Sequence, residues 1–118
     1  VVKAEARLAG DSEIKLTLTI RKGYHIYGNP TGSEDLDPTT VELSGAAVDR
    51  IVYPTGVSKV LASLGTEKIR LYEDTIEIRV LLKGNADPAS LKLKVKYQAC
   101  NDNSCLAPAT LAVSVQPR

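Results

Sequence analysis

Phenylalanine, tryptophan and methionine are all absent from this 118-residue chain, and its aromatic residues are five tyrosines. A hydrophobic core must therefore consist mainly of Val, Ile, Leu and Ala, and the β-branched residues among them favour strands. No apolar run approaches the roughly 18 residues that span a bilayer. The length, with 43% hydrophobic residues, predicts a single domain over residues 1–118 with one core.

An excess of charge of either sign is also missing, since 15 Lys and Arg residues stand against 14 Asp and Glu residues. Nucleic acid is not expected as a partner, because binding it needs a basic field that neutralises phosphates. The chain begins with Val1 and Val2 rather than with Met and a signal sequence, which predicts a trimmed or mature fragment.

Apolar and polar residues alternate along six segments, which is the period of a strand with one buried face. These segments are Val2–Leu8, Ile14–Ile20, Val48–Tyr53, Thr75–Leu82, Leu91–Tyr97 and Thr110–Val115. The first two are predicted to form a hairpin. A convincing helical period is lacking, and residues 58–65 have room for at most one helical turn. The pattern predicts an all-β fold of seven or eight strands, an immunoglobulin-like antiparallel β-sandwich.

The two cysteines, Cys100 and Cys105, are separated by the turn-forming residues Asn-Asp-Asn-Ser. A predicted strand leads in and another leads out, so we expect both thiols at the exposed tip of a hairpin, close enough for a disulfide. The pair is not the usual inter-sheet bridge of antibody domains. Zinc sites need three or four ligands, more than two Cys and one His readily supply, so no metal or cofactor is expected. A Cys–His hydrolase is disfavoured because a β-sandwich lacks the helix N-terminus that commonly activates the nucleophile.

Two interpretations of this cysteine pair remain open at this point. A ring of about six residues restricts the unfolded chain by only roughly 2 kcal/mol, about half of what a bridge between distant strands gives. A tightly turned, exposed disulfide also reacts with external thiolates, and both arguments favour a working redox pair. The alternative is a β-sandwich binding or scaffold module with a purely structural Cys100–Cys105 disulfide.

The segment 95–108, VKYQACNDNSCLAP, resembles the active-site hairpin of the N-terminal periplasmic domain family of the thiol:disulfide interchange protein DsbD. That family has Tyr-Gln-x-Cys, a short turn and Cys-x-Pro-Pro. A second stretch, Gly23–Tyr27, resembles the family's Gly-aromatic-x-aliphatic segment, and the resemblance extends over residues 16–115. Ala107 replaces the first proline of the family pattern, and the turn is a residue shorter than in some members.

The resemblance implies a periplasmic protein-disulfide reductase domain of a larger inner-membrane protein, monomeric, without a cofactor and connected with cytochrome c biogenesis. Its cysteine pair is expected to accept electrons from the transmembrane reductase domain of the same protein. It then passes them to thioredoxin-fold periplasmic proteins. By motif position, Cys105 matches the cysteine that forms mixed disulfides with partners, and Cys100 matches the resolving cysteine.

The family also has a cap loop that covers the disulfide, and residues 59–65 are its nearest counterpart here. Leu61 or Leu64 is expected either to cover the sulfurs or to lie in the core. Tyr24 and Tyr27 are expected either to pack around the cysteine hairpin or to be buried as ordinary strand residues, and burial is favoured.

Asp102 lies between the cysteines, and we expect its negative charge to disfavour a thiolate nearby. The alternative is that it acts only as a turn former. His25 is interpreted as a surface or hydrogen-bonded strand residue rather than as a proton shuttle. The stretch Gly28–Thr40, rich in Gly, Pro, Ser and Asp, is expected to be a surface loop of the kind that shapes a site.

Overall fold

A computed structural model of the chain describes residues 1–32, 36–60, 68–85, 87–101 and 104–117. Eleven strands lie within these ranges: β1 (Val2–Leu8), β2 (Glu13–Ile20), β3 (His25–Tyr27), β4 (Thr40–Ser44), β5 (Val48–Val52), β6 (Val57–Val60), β7 (Lys68–Tyr72), β8 (Thr75–Leu82), β9 (Lys92–Tyr97), β10 (Ala99–Cys100) and β11 (Ala109–Gln116). A short 3₁₀ helix, Pro88–Ser90, precedes β9. None of the described residues belongs to a helix with the length and apolar character needed to cross a membrane.

The strands form two sheets. The larger has seven strands in the spatial order β4-β9-β11-β1-β2-β8-β5, and the smaller has four in the order β10-β3-β7-β6. This arrangement confirms the predicted all-β sandwich. One pair departs from the antiparallel prediction, because β1 and β11 run parallel through Ala6↔Val115 and Arg7↔Gln116.

The hairpin of β1 and β2 confirms the clearest alternation in the sequence. Its antiparallel register runs from Val2↔Ile20 to Leu8↔Ile14, so the apolar residues of both strands share one face. Strand β8 continues the face through Leu16↔Ile78. Because Leu16 and Ile78 are fully buried, each contributes roughly 2 kcal/mol of hydrophobic stabilisation.

Strands that the alternating pattern did not predict are β3, β4, β6, β7 and β10. The expectation of seven or eight strands is therefore wrong. All three residues of β3 are buried, and β10 has only two residues, so neither strand shows a polar face in the sequence. Residues 58–60 lie in β6 and not in a helical turn, while 61–65 lie outside the described residues.

Buried apolar side chains cover both faces of the smaller sheet. The residues of this sheet that point into the main core between the sheets lie opposite one another: Ile26, Tyr72 and Ala99. A second, smaller cluster consists of Tyr27, Ile69, Leu71 and Cys100, with the partly buried Leu36 packed against it. Since successive side chains of a strand alternate between faces, this second cluster lies on the outer face of the smaller sheet. Cys100 is therefore separated from the main core by the sheet itself.

The stretch Gly28–Thr40 is more than a surface loop, because parts of it are buried against the smaller sheet. Thr39 is fully buried, and its hydroxyl and amide donate to the Tyr27 carbonyl at 2.5 and 3.2 Å. The Thr31 carbonyl accepts from the Arg70 amide at 2.8 Å. A Cβ at Gly28 would lie 3.1 Å from the Arg70 carbonyl oxygen, so this backbone approaches β7 closely. These contacts fix the carbonyl of Tyr27 and the chain that follows it.

Candidate functional site

The cysteines lie where the β9–β11 hairpin separates from the larger sheet. The last pair of that hairpin is Tyr97↔Ala109, after which β10 joins β3 in the smaller sheet. Cys100 and Cys105 face each other in an isolated antiparallel bridge, with their Cα atoms 4.0 Å apart, and are joined by a disulfide. The predicted pairing within one hairpin is confirmed.

The turn between the cysteines is closed by short-range hydrogen bonds. The Asn101 amide donates to the Ser104 carbonyl at 2.9 Å, and the Ser104 amide donates to Oδ1 of Asn101 at 2.8 Å. Beyond Cys105, the Leu106 amide donates to the Ala99 carbonyl at 2.8 Å. These bonds hold Cys105 beside β10, as the turn-forming sequence predicts.

The two cysteine residues differ in their exposure to solvent. Cys100 is 2% exposed within the second cluster, whereas Cys105 is exposed. The expectation of a disulfide exposed at the tip is therefore correct for Cys105 and wrong for Cys100, which a neighbouring sheet strand buries. Residues 104–108 are all exposed, and Leu106 is exposed by 43%. Among the described residues, the segment on the Cys105 side of the disulfide is therefore the one that faces solvent.

Tyr27 lies against both sulfurs. Its hydroxyl oxygen is 3.5 Å from Sγ of Cys100 and 3.9 Å from Sγ of Cys105, and it acts as the donor because disulfide sulfurs carry no hydrogen. The side chain is 3% exposed, and this burial raises the pKa of Tyr27 above its ordinary value. Both alternatives for Tyr27 apply together, since the residue is buried and also packs on the cysteine pair. Tyr24 instead packs, half-buried, against the main core.

His25 is 6% exposed in β3, so the interpretation as a surface residue is wrong, while its place in a strand is confirmed. It is buried because both faces of the smaller sheet are covered. Its cross-strand neighbour is Cys100. Three other candidates, Leu61, Leu64 and Asp102, lie outside the described residues, and their proposed roles stay predictions.

Sequence reasoning missed two residues that support the site. Leu36 packs against the cluster that contains Cys100, and Thr39 holds the carbonyl of Tyr27. The composition of Gly28–Thr40 pointed to the correct segment, but no pattern singled out these two residues. Gln98, part of the Tyr-Gln-x-Cys motif, donates from Nε2 to the Leu106 carbonyl at 3.1 Å and so steadies the exposed segment.

The site therefore combines a disulfide whose two cysteines differ in exposure with a tyrosine hydroxyl that lies within hydrogen-bonding distance of both sulfurs. A family model described as "Thiol:disulfide interchange protein DsbD, N-terminal" matches residues 1–117. The chain belongs to this DsbD N-terminal family. No curated protein matches the chain. Membership confirms the resemblance drawn from the cysteine hairpin, and thiol:disulfide interchange is the function that the family description names.

Solved structures with this fold include members of the same family. The crystal structure of the Neisseria meningitidis DsbD N-terminal domain in the reduced form has a TM-score of 0.66 and 15% identity, covering 92% of this chain and 79% of that chain. The complex between the DsbD and PilB N-terminal domains from Neisseria meningitidis has a TM-score of 0.63 and 16% identity, covering 94% of this chain and 79% of that chain. The N-terminal periplasmic domain of ScsB from Proteus mirabilis has a TM-score of 0.58 and 16% identity, covering 96% of this chain and 45% of that chain. These likenesses support the immunoglobulin-like DsbD N-terminal fold.

Proposed function

We propose that residues 1–118 act as one monomeric domain that reduces disulfides of thioredoxin-fold proteins in the periplasm. Cys105 forms the mixed disulfide with the partner, and Cys100 resolves it. The unequal exposure of the two cysteine residues is the observation that carries this assignment, because Cys105 is exposed and Cys100 is 2% exposed. The motif position of the two cysteines leads to the same assignment of roles.

The transfer proceeds by two displacements at sulfur. The Cys105 thiolate attacks the partner's disulfide, so that a Cys105–partner bond forms and the other partner sulfur leaves as a thiolate. The Cys100 thiolate then attacks Sγ of Cys105, and the second partner sulfur leaves. The Cys100–Cys105 disulfide is restored as the oxidised product, and the partner gains two electrons and two protons.

The electrons for the next cycle come, in this proposal, from a transmembrane reductase domain of the same protein, anchored in the inner membrane. The family description as an interchange protein supports a relay of this kind. Two structural neighbours add support for location and partner: one is described as a periplasmic domain, and the other is a complex of a DsbD N-terminal domain with a PilB domain.

Trapping of the mixed disulfide tests the assignment of the two cysteines. The probe is a thioredoxin-fold protein that keeps only its exposed active-site cysteine, activated as a disulfide with thionitrobenzoate. We expect reduced Cys100→Ala to release thionitrobenzoate and form a covalent complex with the probe. Cys105→Ala should react at least about tenfold more slowly, because its remaining thiol is buried.

Circular dichroism of both variants provides the control for folding. Equal trapping by the two variants would contradict the assignment of roles to the cysteines. A reduction potential below about −300 mV, together with no trapping by either folded variant, would instead support a structural disulfide in a binding or scaffold module.

A further inference from the structure

Three chemically reactive side chains lie on or beside the smaller sheet. Cys100 in β10 lies directly opposite His25 in β3. Glu73 directly follows Tyr72, which is the last residue of β7 and the cross-strand partner of Ile26. His25 and Glu73 line the same cavity of about 210 Å³. A thiol and an imidazole thus lie on paired strands, and a carboxylate lines the cavity beside the imidazole.

Sheet geometry brings the thiol and the imidazole within reach of each other. Directly opposed residues of an antiparallel pair point to the same face, with Cβ atoms about 5 Å apart. Cys100 and His25 are both buried on that face, at 2% and 6% exposure. His25 is the one histidine of the chain, and imidazole is the side chain whose ordinary pKa lies nearest to neutrality.

The charged groups around the imidazole nearly balance. The turn before β3 contributes Lys22, β6 contributes Lys59, and the turn after β7 contributes Glu73 and Asp74. Lys59 forms an ion pair with Oε1 of Glu73. Tyr24 lines the same cavity, and Tyr27 lies two residues along β3. Among the described residues that line this cavity with His25, two cations thus stand against two anions.

The reaction requires a base at this position. Burial disfavours the charged thiolate, so the Cys100 thiol loses its proton reluctantly. Tyr27, which contacts the same sulfur, is a poor acceptor because burial raises the pKa of its hydroxyl and keeps it protonated. Of the groups named here, the imidazole is the one that can accept a proton near neutral pH.

We propose that His25 takes the proton of Cys100 during the resolving step and returns it to the departing partner; this inference rests on the proposed function. The Cys100 S–H proton passes to the imidazole, and the thiolate attacks Sγ of Cys105. The bond between Cys105 and the partner breaks, and the partner's sulfur leaves as a thiolate that collects the proton from the imidazolium. Glu73 supports the imidazolium as a positioning residue.

Proton NMR tests this coupling without any substitution, because the single imidazole gives an unambiguous signal. We expect the pKa of His25 to differ between the reduced and the oxidised protein, since the reduced Cys100 thiol can exchange its proton with the imidazole and the disulfide cannot. Superimposable titration curves in the two redox states would overturn the proposal. This measurement needs no partner protein, so it stands apart from a failure of the proposed function.

Kinetics of resolution provide the second test. Ellman's reagent converts Cys105 of the reduced protein to a mixed disulfide, and attack by Cys100 then releases a second thionitrobenzoate. We expect His25→Gln to slow this second release at neutral pH by at least about tenfold and to move its pH profile upwards. Lys92→Gln, which removes an exposed charge from β9 in the larger sheet, should leave the profile in place.

The outcomes separate the two proposals. An unchanged pH profile in a folded His25→Gln variant refutes the role of His25, even if exchange with the thioredoxin-fold probe is intact. A shifted profile without any exchange with the probe supports His25 and counts against the proposed partner class. If His25→Gln does not fold, the NMR titration of the unaltered protein decides whether His25 has the proposed role.

Discussion

Removal of the Tyr27 hydroxyl should weaken the thiolate of the reduced cysteine pair. Tyr27→Phe keeps the buried ring and deletes the donor that lies 3.5 and 3.9 Å from the two sulfurs. Hydrogen bonds to charged groups contribute roughly 1.5–3 kcal/mol, and these long contacts suggest about 1 kcal/mol. Because one pKa unit corresponds to 1.36 kcal/mol, the pKa of the thiol that loses this hydrogen bond should rise by about 0.7.

That shift predicts a modest change in reaction rate. A rise of about 0.7 in the pKa lowers the thiolate fraction at neutral pH about fivefold. The remaining thiolate is about twofold more nucleophilic, because nucleophilicity increases with the pKa with a Brønsted coefficient of roughly 0.4–0.5. We therefore expect Tyr27→Phe to react with a small alkylating reagent about two- to threefold more slowly at neutral pH.

The assay is alkylation of the reduced protein by iodoacetamide over a range of pH, followed by mass spectrometry to separate the two cysteines. Tyr24→Phe is the matched control, because it deletes a hydroxyl from a tyrosine that packs against the main core. An unchanged or lower thiol pKa in Tyr27→Phe, with the control behaving like the unaltered protein, would refute the reasoning.

Three further predictions concern stability and docking. Reduction of the disulfide should leave the β-sheet circular dichroism spectrum intact at room temperature, because the ring contributes only roughly 2 kcal/mol and Cys100 lies outside the main core. Leu106→Ala should slow exchange with a thioredoxin-fold probe severalfold while alkylation of Cys105 stays unchanged, and Val57→Ala, also exposed, should affect neither. Burial raises the pKa of Tyr72 above 10.0 in the folded protein. The protonated Tyr72 side chain therefore contributes its full stabilisation below the pKa of the unfolded state, and this stabilisation is lost as the pH rises through the pKa of the folded state. Urea midpoints should accordingly fall at alkaline pH, and a fall of the same size in Tyr72→Phe would count against Tyr72 as a cause.

The sequence allowed prediction of the strands that have one face in the core and the other in water. Strands β1, β2 and β8 are of this kind, and their alternation specifies which face is buried. Strand β3 escaped prediction because all of its residues are buried. Strand β7 carries adjacent buried residues, Leu71 and Tyr72, which also breaks the alternation.

The redox pair could be predicted because the Tyr-Gln-x-Cys pattern and the spacing of the cysteines are local features of the sequence. The burial of His25 could not be predicted, because β3 lies between β10 and β7 in the smaller sheet and these strands are distant from it along the chain. The contact between Tyr27 and the two sulfurs has the same origin, since it joins residues 73 and 78 positions apart.

The parallel pairing of β1 with β11 determines where the last strand ends relative to the disulfide. Strand β11 begins at Ala109, opposite Tyr97 near the cysteines, and ends at Gln116 beside Arg7. Seven residue steps at about 3.3 Å place Gln116 roughly 23 Å from the start of the strand, within a molecule whose longest dimension is 45 Å. Gln116 thus lies about half the length of the molecule away from the end of β11 that is near the cysteines. A fluorescent protein or a surface linker fused beyond Gln116 would leave the disulfide open to an approaching protein.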